Sequence, residues 1–352
     1  MIRTLVLASA VLLGFVSPCW AQVATPAPPV VPGAKPVTVE RITVHSPAIE
    51  GNLEGESADR EVIVVLPPSY RTASRRRYPV VYALHGYSIG ATQWIGEIHV
   101  PQTVEGAFAK GAREMIVVLP DSKTVHNGSF YSRSVAVGDF ETFIARDLVA
   151  YVDAHYRTLP KRESRGLTGH SMGGYGTARI GMNHADVFGA IYMLSPCCLS
   201  VRALGTPDPA QEQTLRALRA PADSASLPWL LRAQLATAAA WSPNPKAPPL
   251  FLDLPVKDGQ PQSDVLARWA ANAPLAMLDQ HVADLRRYRA IGIDVGDRDG
   301  LKDDALRLHE ALDRYGIANR FEVYPGDHTS GVATRFQDVV LPFFSGALAF
   351  PH

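Results

Sequence analysis

From Tyr78 onward the chain alternates short, unbroken apolar runs with segments of helical period. The runs are Pro79-Val80-Val81-Tyr82-Ala83-Leu84, Met115-Ile116-Val117-Val118-Leu119, Arg165 to Thr168, Ala190-Ile191-Tyr192-Met193-Leu194, Ala290 to Val295 and Phe321-Glu322-Val323-Tyr324. A strand that is apolar at nearly every residue is buried on both faces, which predicts a parallel sheet and not one with a wetted side. Between the runs the period changes. Phe140, Phe143, Ile144, Leu148, Val149 and Val152 recur at three-and-four spacing and predict a helix over 140–156. Ala305, Leu308 and Leu312 predict another over 303–315, stopped by Gly316. Strands and helices in alternation predict an α/β fold with right-handed crossovers and helices on both sheet faces.

Two stretches break this pattern. Ahead of it, Val37-Thr38-Val39, Ile42-Thr43-Val44 and Glu61-Val62-Ile63-Val64-Val65-Leu66 read as edge strands or an opening hairpin, closed by Pro67-Pro68. Within it, residues 200–270 are rich in Pro, Ala, Leu and Arg and read as an insertion, a candidate cap over the site. Residues 22–38, Pro- and Ala-rich, predict an extended polyproline-like tether. Residues 1–21 carry Arg3, an apolar stretch from Leu5 to Val16 and a small-residue signal at Cys19-Trp20-Ala21, which together predict an export signal cleaved after Ala21. That stretch is shorter than the roughly 20 residues a spanning helix needs, and Pro18 argues against a lipid on Cys19. The expected organisation is a signal over 1–21, a linker over 22–38 and one catalytic domain over 39–352, placed in the periplasm or secreted, without membrane insertion after cleavage.

Composition narrows the partners. Thirty-four basic and thirty-four acidic residues balance, with no long run of either sign, so neither nucleic acid nor an anionic membrane is indicated. A small or neutral substrate fits better. Cys197 and Cys198 are the cysteines left after cleavage; adjacent residues cannot staple distant segments, and two packed thiols are expected, with a vicinal disulfide as the alternative. No metal-ligand spacing is present.

The chemistry concentrates in Gly169-His170-Ser171-Met172-Gly173-Gly174, which follows one apolar run and opens a small-residue helix. This is the setting of a nucleophile elbow, with Ser171 on a strained strand-to-helix turn. A serine hydroxyl needs a base to take its proton and a carboxylate to orient the base, and in this fold the order along the chain is Ser, acid, His. Of the histidines after the elbow, His184 and His281 precede the acid strand, His309 lies within a helix and His352 is terminal. His328, in the loop Pro325-Gly326-Asp327-His328-Thr329-Ser330, is the candidate base. Ile293-Asp294-Val295-Gly296-Asp297-Arg298-Asp299 supplies the acid: Asp299 is preferred, Asp297 is the alternative, and Asp294 sits within the strand. The oxyanion donors are expected to be the N–H of Met172 and, from the loop Leu84-His85-Gly86-Tyr87-Ser88, that of Tyr87.

These segments resemble the esterase branch of the α/β hydrolases, which includes feruloyl and acetyl xylan esterases, S-formylglutathione hydrolases, siderophore esterases and the mycolyltransferase antigens. The resemblance rests on Asn127-Gly128-Ser129-Phe130-Tyr131, Asp147-Leu148, Tyr151-Val152-Asp153, Tyr156-Arg157, Gly169 to Gly174 and Leu194-Ser195-Pro196. It implies a cofactor-free, two-step mechanism with Ser171 as nucleophile, His328 as base, Asp299 as orienting acid, and Tyr87 and Met172 as oxyanion donors. It leaves open acyl transfer to a carbohydrate or lipid acceptor, and a hydrolase-fold binding protein without catalysis.

Overall fold

The computed structural model describes residues 25–201 and 208–351. The expected export signal and residues 22–24 of the linker lie outside them. Eight strands form the central sheet: β1 (Thr38–His45), β2 (Asp59–Leu66), β3 (Val80–Leu84), β4 (Ile116–Pro120), β5 (Arg165–His170), β6 (Ala190–Leu194), β7 (Ala290–Gly296) and β8 (Arg320–Tyr324). Their order across the sheet is β1-β2-β4-β3-β5-β6-β7-β8. β1 and β2 form the antiparallel edge, β2 meets β4 antiparallel, and every pairing from β4 to β8 is parallel. The architecture is that of an α/β hydrolase.

The unbroken apolar runs are explained by two cores. Ile63, Val65, Val81, Ala83, Val117, Leu119 and Tyr192 face one side, where α1 (Ala91–Glu97), α2 (Gln102–Ala109) and the terminal helix cover them. Val62, Val64, Tyr82, Leu84, Val118, Ile191 and Met193 face the other. There they meet α3, whose segments Phe140–Thr142, Phe143–Asp147 and Leu148–His155 follow one another with a π turn in the middle, and α4 (Met172–Asn183). Successive residues of one strand therefore feed different cores, and the parallel strands Val80–Leu84 and Ala190–Leu194 carry only apolar and aromatic residues.

The expected insertion lies between β6 and β7 and carries α5 (Pro209–Arg216), α6 (Trp229–Trp241) and α7 (Ser263–Ala271). α8 (Lys302–Arg314) links β7 to β8. The terminal helix α9 runs through Val332–Arg335, Phe336–Val340 and Leu341–Ala347.

Three details differ from expectation. The runs 37–39 and 42–44 are one continuous strand, β1, because Glu40 and Arg41 pair with Val64 and Ile63 of β2. The linker is extended, yet it is docked along α1 and α2: the Thr25 hydroxyl donates to Glu97 O, His99 Nε2 donates to Thr25 O at 2.7 Å, Gln102 donates to Pro28 O, and Val37 N donates to Glu105 at 3.0 Å. Cys197 and Cys198 form a vicinal disulfide where two packed thiols were expected.

Candidate active site

Three loops at the C-terminal ends of neighbouring parallel strands converge, the place where ligands bind in open α/β sheets. β5 ends at His170, and the chain turns at once into α4, so Ser171 takes φ 57°, ψ −113°, a strained conformation for a residue with a Cβ. The turn is clamped to the end of β6: Ser171 N donates to Leu194 O at 3.0 Å and Cys197 N donates to Ser171 O at 3.1 Å. The sharp reversal brings Gly173 against β3, where a Cβ would lie 2.2 Å from Leu84 O, so this position admits glycine alone.

The structure brings Ser171, His328 and Asp299 together. His328 Nε2 lies 2.9 Å from Ser171 Oγ, and its Nδ1 lies 2.8 Å from Asp299 Oδ2. Asp299 is an acceptor, so Nδ1 holds the ring proton and Nε2 presents its lone pair to the serine hydroxyl. Burial works to raise the Asp299 pKa, but the hydrogen bond and charge of His328, together with Leu301 N–H at 2.9 Å, outweigh it and hold the carboxyl below its ordinary value. Asp299 is almost completely buried while His328 keeps 36% of its side chain exposed, so the acid is screened and the base can reach a substrate.

Asp297 and Asp294 do other things. Asp297 Oδ1 accepts Gly326 N–H at 2.9 Å and ties the acid loop to the His328 loop. Asp294 is buried, its pKa pushed up to about 6 by burial against the Arg335 ion pair, and it accepts from Arg335 Nε at 2.8 Å and Tyr192 Oη at 2.9 Å beneath the sheet end. Asp327 accepts the N–H groups of Thr329 and Ser330 and shapes the loop around His328.

Among the described residues, the N–H groups of Met172 and Tyr87 donate to no protein acceptor. Met172 is the first residue of α4, where the positive end of the helix dipole lies. The Tyr87 loop is braced by His85, whose Nε2 accepts Ser122 N–H at 2.8 Å and whose Nδ1–H therefore donates to Gly86 O at 2.8 Å. The Asn127-Gly128-Ser129 segment braces it from the other side: Ser88 N donates to Asn127 O at 3.0 Å, and a Cβ on Gly128 would meet Met172 Sδ at 2.6 Å and Tyr87 Cδ2 at 2.8 Å.

One contributor was hidden in the variable position of the elbow. His170 is buried, its Nε2 donates to His328 O at 2.7 Å, and its ring lies 4.7 Å from that of His328 and stacks on Trp94 at 6.1 Å. Burial, then the nearby His328, push its pKa down to about 3, so it stays neutral. No sequence signal separates it from any other residue that could precede the serine.

This geometry allows the Ser171 proton to pass to His328 as Oγ attacks a carbonyl, with two N–H groups free to bind the developing oxyanion. Comparison with known proteins agrees in type. A family model described as "Putative esterase" matches residues 56–337. The chain belongs to this esterase family. An esterase of Mycobacterium tuberculosis (strain ATCC 25618 / H37Rv) is 33% identical over 131 residues, 36% of this chain and 27% of that protein. An endo-1,4-beta-xylanase/feruloyl esterase of Xylanibacter ruminicola is 26% identical over 136 residues, 38% of this chain and 19% of that protein. The alignments thus span about a quarter or less of these longer relatives. A solved ferulic acid esterase superposes with TM-score 0.63 at 23% identity, covering 89% of this chain and 99% of that one, which shows the shared fold.

Proposed function

We propose that this protein is an exported serine esterase that cleaves carboxylic esters through an acyl-enzyme on Ser171. The observation that carries the reading is the unbroken line from Asp299 through His328 to Ser171, at 2.8 and 2.9 Å, beside two undirected N–H groups. Ser171 Oγ attacks the ester carbonyl while His328 Nε2 takes its proton. The carbonyl oxygen gathers charge against the Met172 and Tyr87 N–H groups. His328 then returns the proton to the leaving alcohol, and an ester of Ser171 remains. Water, deprotonated by His328, attacks this ester, and the acid departs as the proton returns to Ser171. Asp299 stays ionised and stabilises the imidazolium in both steps. No step requires a cofactor.

Acyl or feruloyl esters, free or on polysaccharide, suit the site, supported by the names of the feruloyl esterase relatives. Export is supported by Arg3, the apolar stretch from Leu5 to Val16 and the Ala21 signal; among the described residues no helix is long and apolar enough to cross a membrane. The test is turnover of acetyl, butyryl and feruloyl esters by the wild type and Ser171→Ala. Loss of about 10⁶ in kcat in the variant is expected when the nucleophile is removed; equal rates would end the proposal.

A further inference from the structure

We propose that a basic cavity at the end of the sheet opposite Ser171 binds a small organic dianion, a sugar carrying carboxylate or phosphate groups. Arg75, Arg76, Arg77 and Arg113 line it, with Leu159, Phe350 and Pro351 between them, around a volume of about 580 Å³. That volume lies in the range of small-molecule sites and far exceeds one inorganic ion. The site is separate from the esterase chemistry and does not rest on it.

The sheet itself gathers these residues. Arg75 to Arg77 precede β3, Arg113 precedes β4 and Leu159 precedes β5, and these strands are parallel neighbours. Tyr78 N donates to Arg157 O at 2.8 Å, Leu159 N donates to Tyr78 O at 2.9 Å, and Ile116 N donates to Pro79 O at 3.0 Å, so the three strand entrances are laced together. Ser171, Asp299 and His328 follow the other ends of their strands. The five-residue β3 alone separates the two ends by roughly 15 Å. A ligand in the cavity is therefore not the ester under attack.

The chain balances its charges, but this place does not. Among the described residues one carboxylate, that of Glu114, touches the group, and it accepts from Arg76 Nη1 at 3.2 Å. The other cations are held by neutral partners. The Arg113 guanidinium lies 3.7 Å from the centre of the Phe350 ring, and Arg77 Nη1 donates to Thr158 O at 3.0 Å. Behind them Arg157 Nε donates to Arg76 O at 3.2 Å and its guanidinium stacks on Tyr70 at 3.8 Å. Ring faces and carbonyls fix these charges without neutralising them. Like charges gathered this way repel, and a multivalent anion relieves that repulsion. All four lining cations are arginine, whose planar fork meets a carboxylate or a phosphate bidentately. Phe350, Leu159 and Pro351 add apolar contacts that a bare ion cannot use and a sugar ring can.

The test is calorimetric titration of the purified protein with digalacturonate, fructose bisphosphate, inorganic pyrophosphate and neutral cellobiose. At least one of the two sugar dianions should bind at a single site, more tightly than pyrophosphate, with cellobiose inert. Which of them binds tells whether the oxyanions are carboxylates or phosphates. Arg75→Gln and Arg113→Gln should each weaken that binding by about 10-fold or more, and raising the salt from about 50 to about 300 mM should weaken it as well. Arg75 is exposed, and among the described residues its side chain makes no hydrogen bond or ion pair, so its loss acts on the ligand and not on folding. Ser171-dependent turnover of nitrophenyl acetate should stay within about 2-fold in both variants. Failure of both sugar dianions to bind, binding no tighter than that of pyrophosphate, or binding untouched by both substitutions would overturn the proposal. Absence of Ser171-dependent turnover would overturn the esterase reading and leave this site standing.

Discussion

His170 offers a prediction in which the sign reverses with pH. In the folded protein burial holds its pKa near 3, whereas in the unfolded chain it titrates near the ordinary 6.5. Between about pH 6.5 and pH 3 the unfolded state therefore binds a proton that the native state refuses. Stability contributed by the neutral ring is complete above that window and falls as the pH drops through it. The loss from this one group is about 1 kcal/mol at pH 5.5 and about 3 kcal/mol at pH 4.5. His170→Gln removes the titration and keeps an amide donor for His328 O. At pH 7.5 the variant should be less stable by about 1 kcal/mol, from lost stacking on Trp94 and a poorer hydrogen bond. At pH 4.5 it should be the more stable of the two, with the curves crossing between about pH 6 and 5.5. Urea unfolding at pH 7.5, 5.5 and 4.5 measures this directly. A stability gap that stays constant over that range would refute the assignment of a neutral, buried His170.

Asp299→Asn should lower kcat by about 10³- to 10⁴-fold with little change in KM, since the imidazole loses its orienting charge, whereas Asp297→Asn, whose carboxylate accepts from Gly326 N–H and the exposed Arg298 side chain and does not touch His328, should cost less than about 10-fold in steady-state assays. Arg335→Met leaves Asp294 buried without its cation and should destabilise the protein by about 3–5 kcal/mol in denaturant titration at pH 7.5. Arg335 lowers the Asp294 pKa, so in the variant Asp294 takes up its proton above about pH 6; the loss should therefore shrink as the pH falls from 7.5 toward 6 and stay constant below.

How much of this was legible in the sequence depends on what each residue had to satisfy. The parallel strands were readable because both faces of the sheet are covered, so Val80 to Leu84 and Ala190 to Leu194 had no freedom to be polar. Ser171 and His328 were readable because strand ends and chain order leave few positions for them. The choice between Asp297 and Asp299 was not, since both lie in one loop two residues apart and only the folded loop turns Asp299 inward. α6 was missed as a helix because it is buried almost all round and shows no amphipathic stripe. The docking of residues 25–37 was equally invisible: its hydrogen bonds use mostly backbone carbonyls, and composition reports only that the segment is extended.

The central claim, that Ser171 is the nucleophile made reactive by His328, is tested most directly by labelling with a fluorophosphonate and mapping the adduct by peptide mass. The account predicts one adduct, on Ser171, formed by the wild type, abolished in Ser171→Ala and slowed by orders of magnitude in His328→Ala. A label on any other residue, or labelling of Ser171 at the same rate without His328, would contradict it.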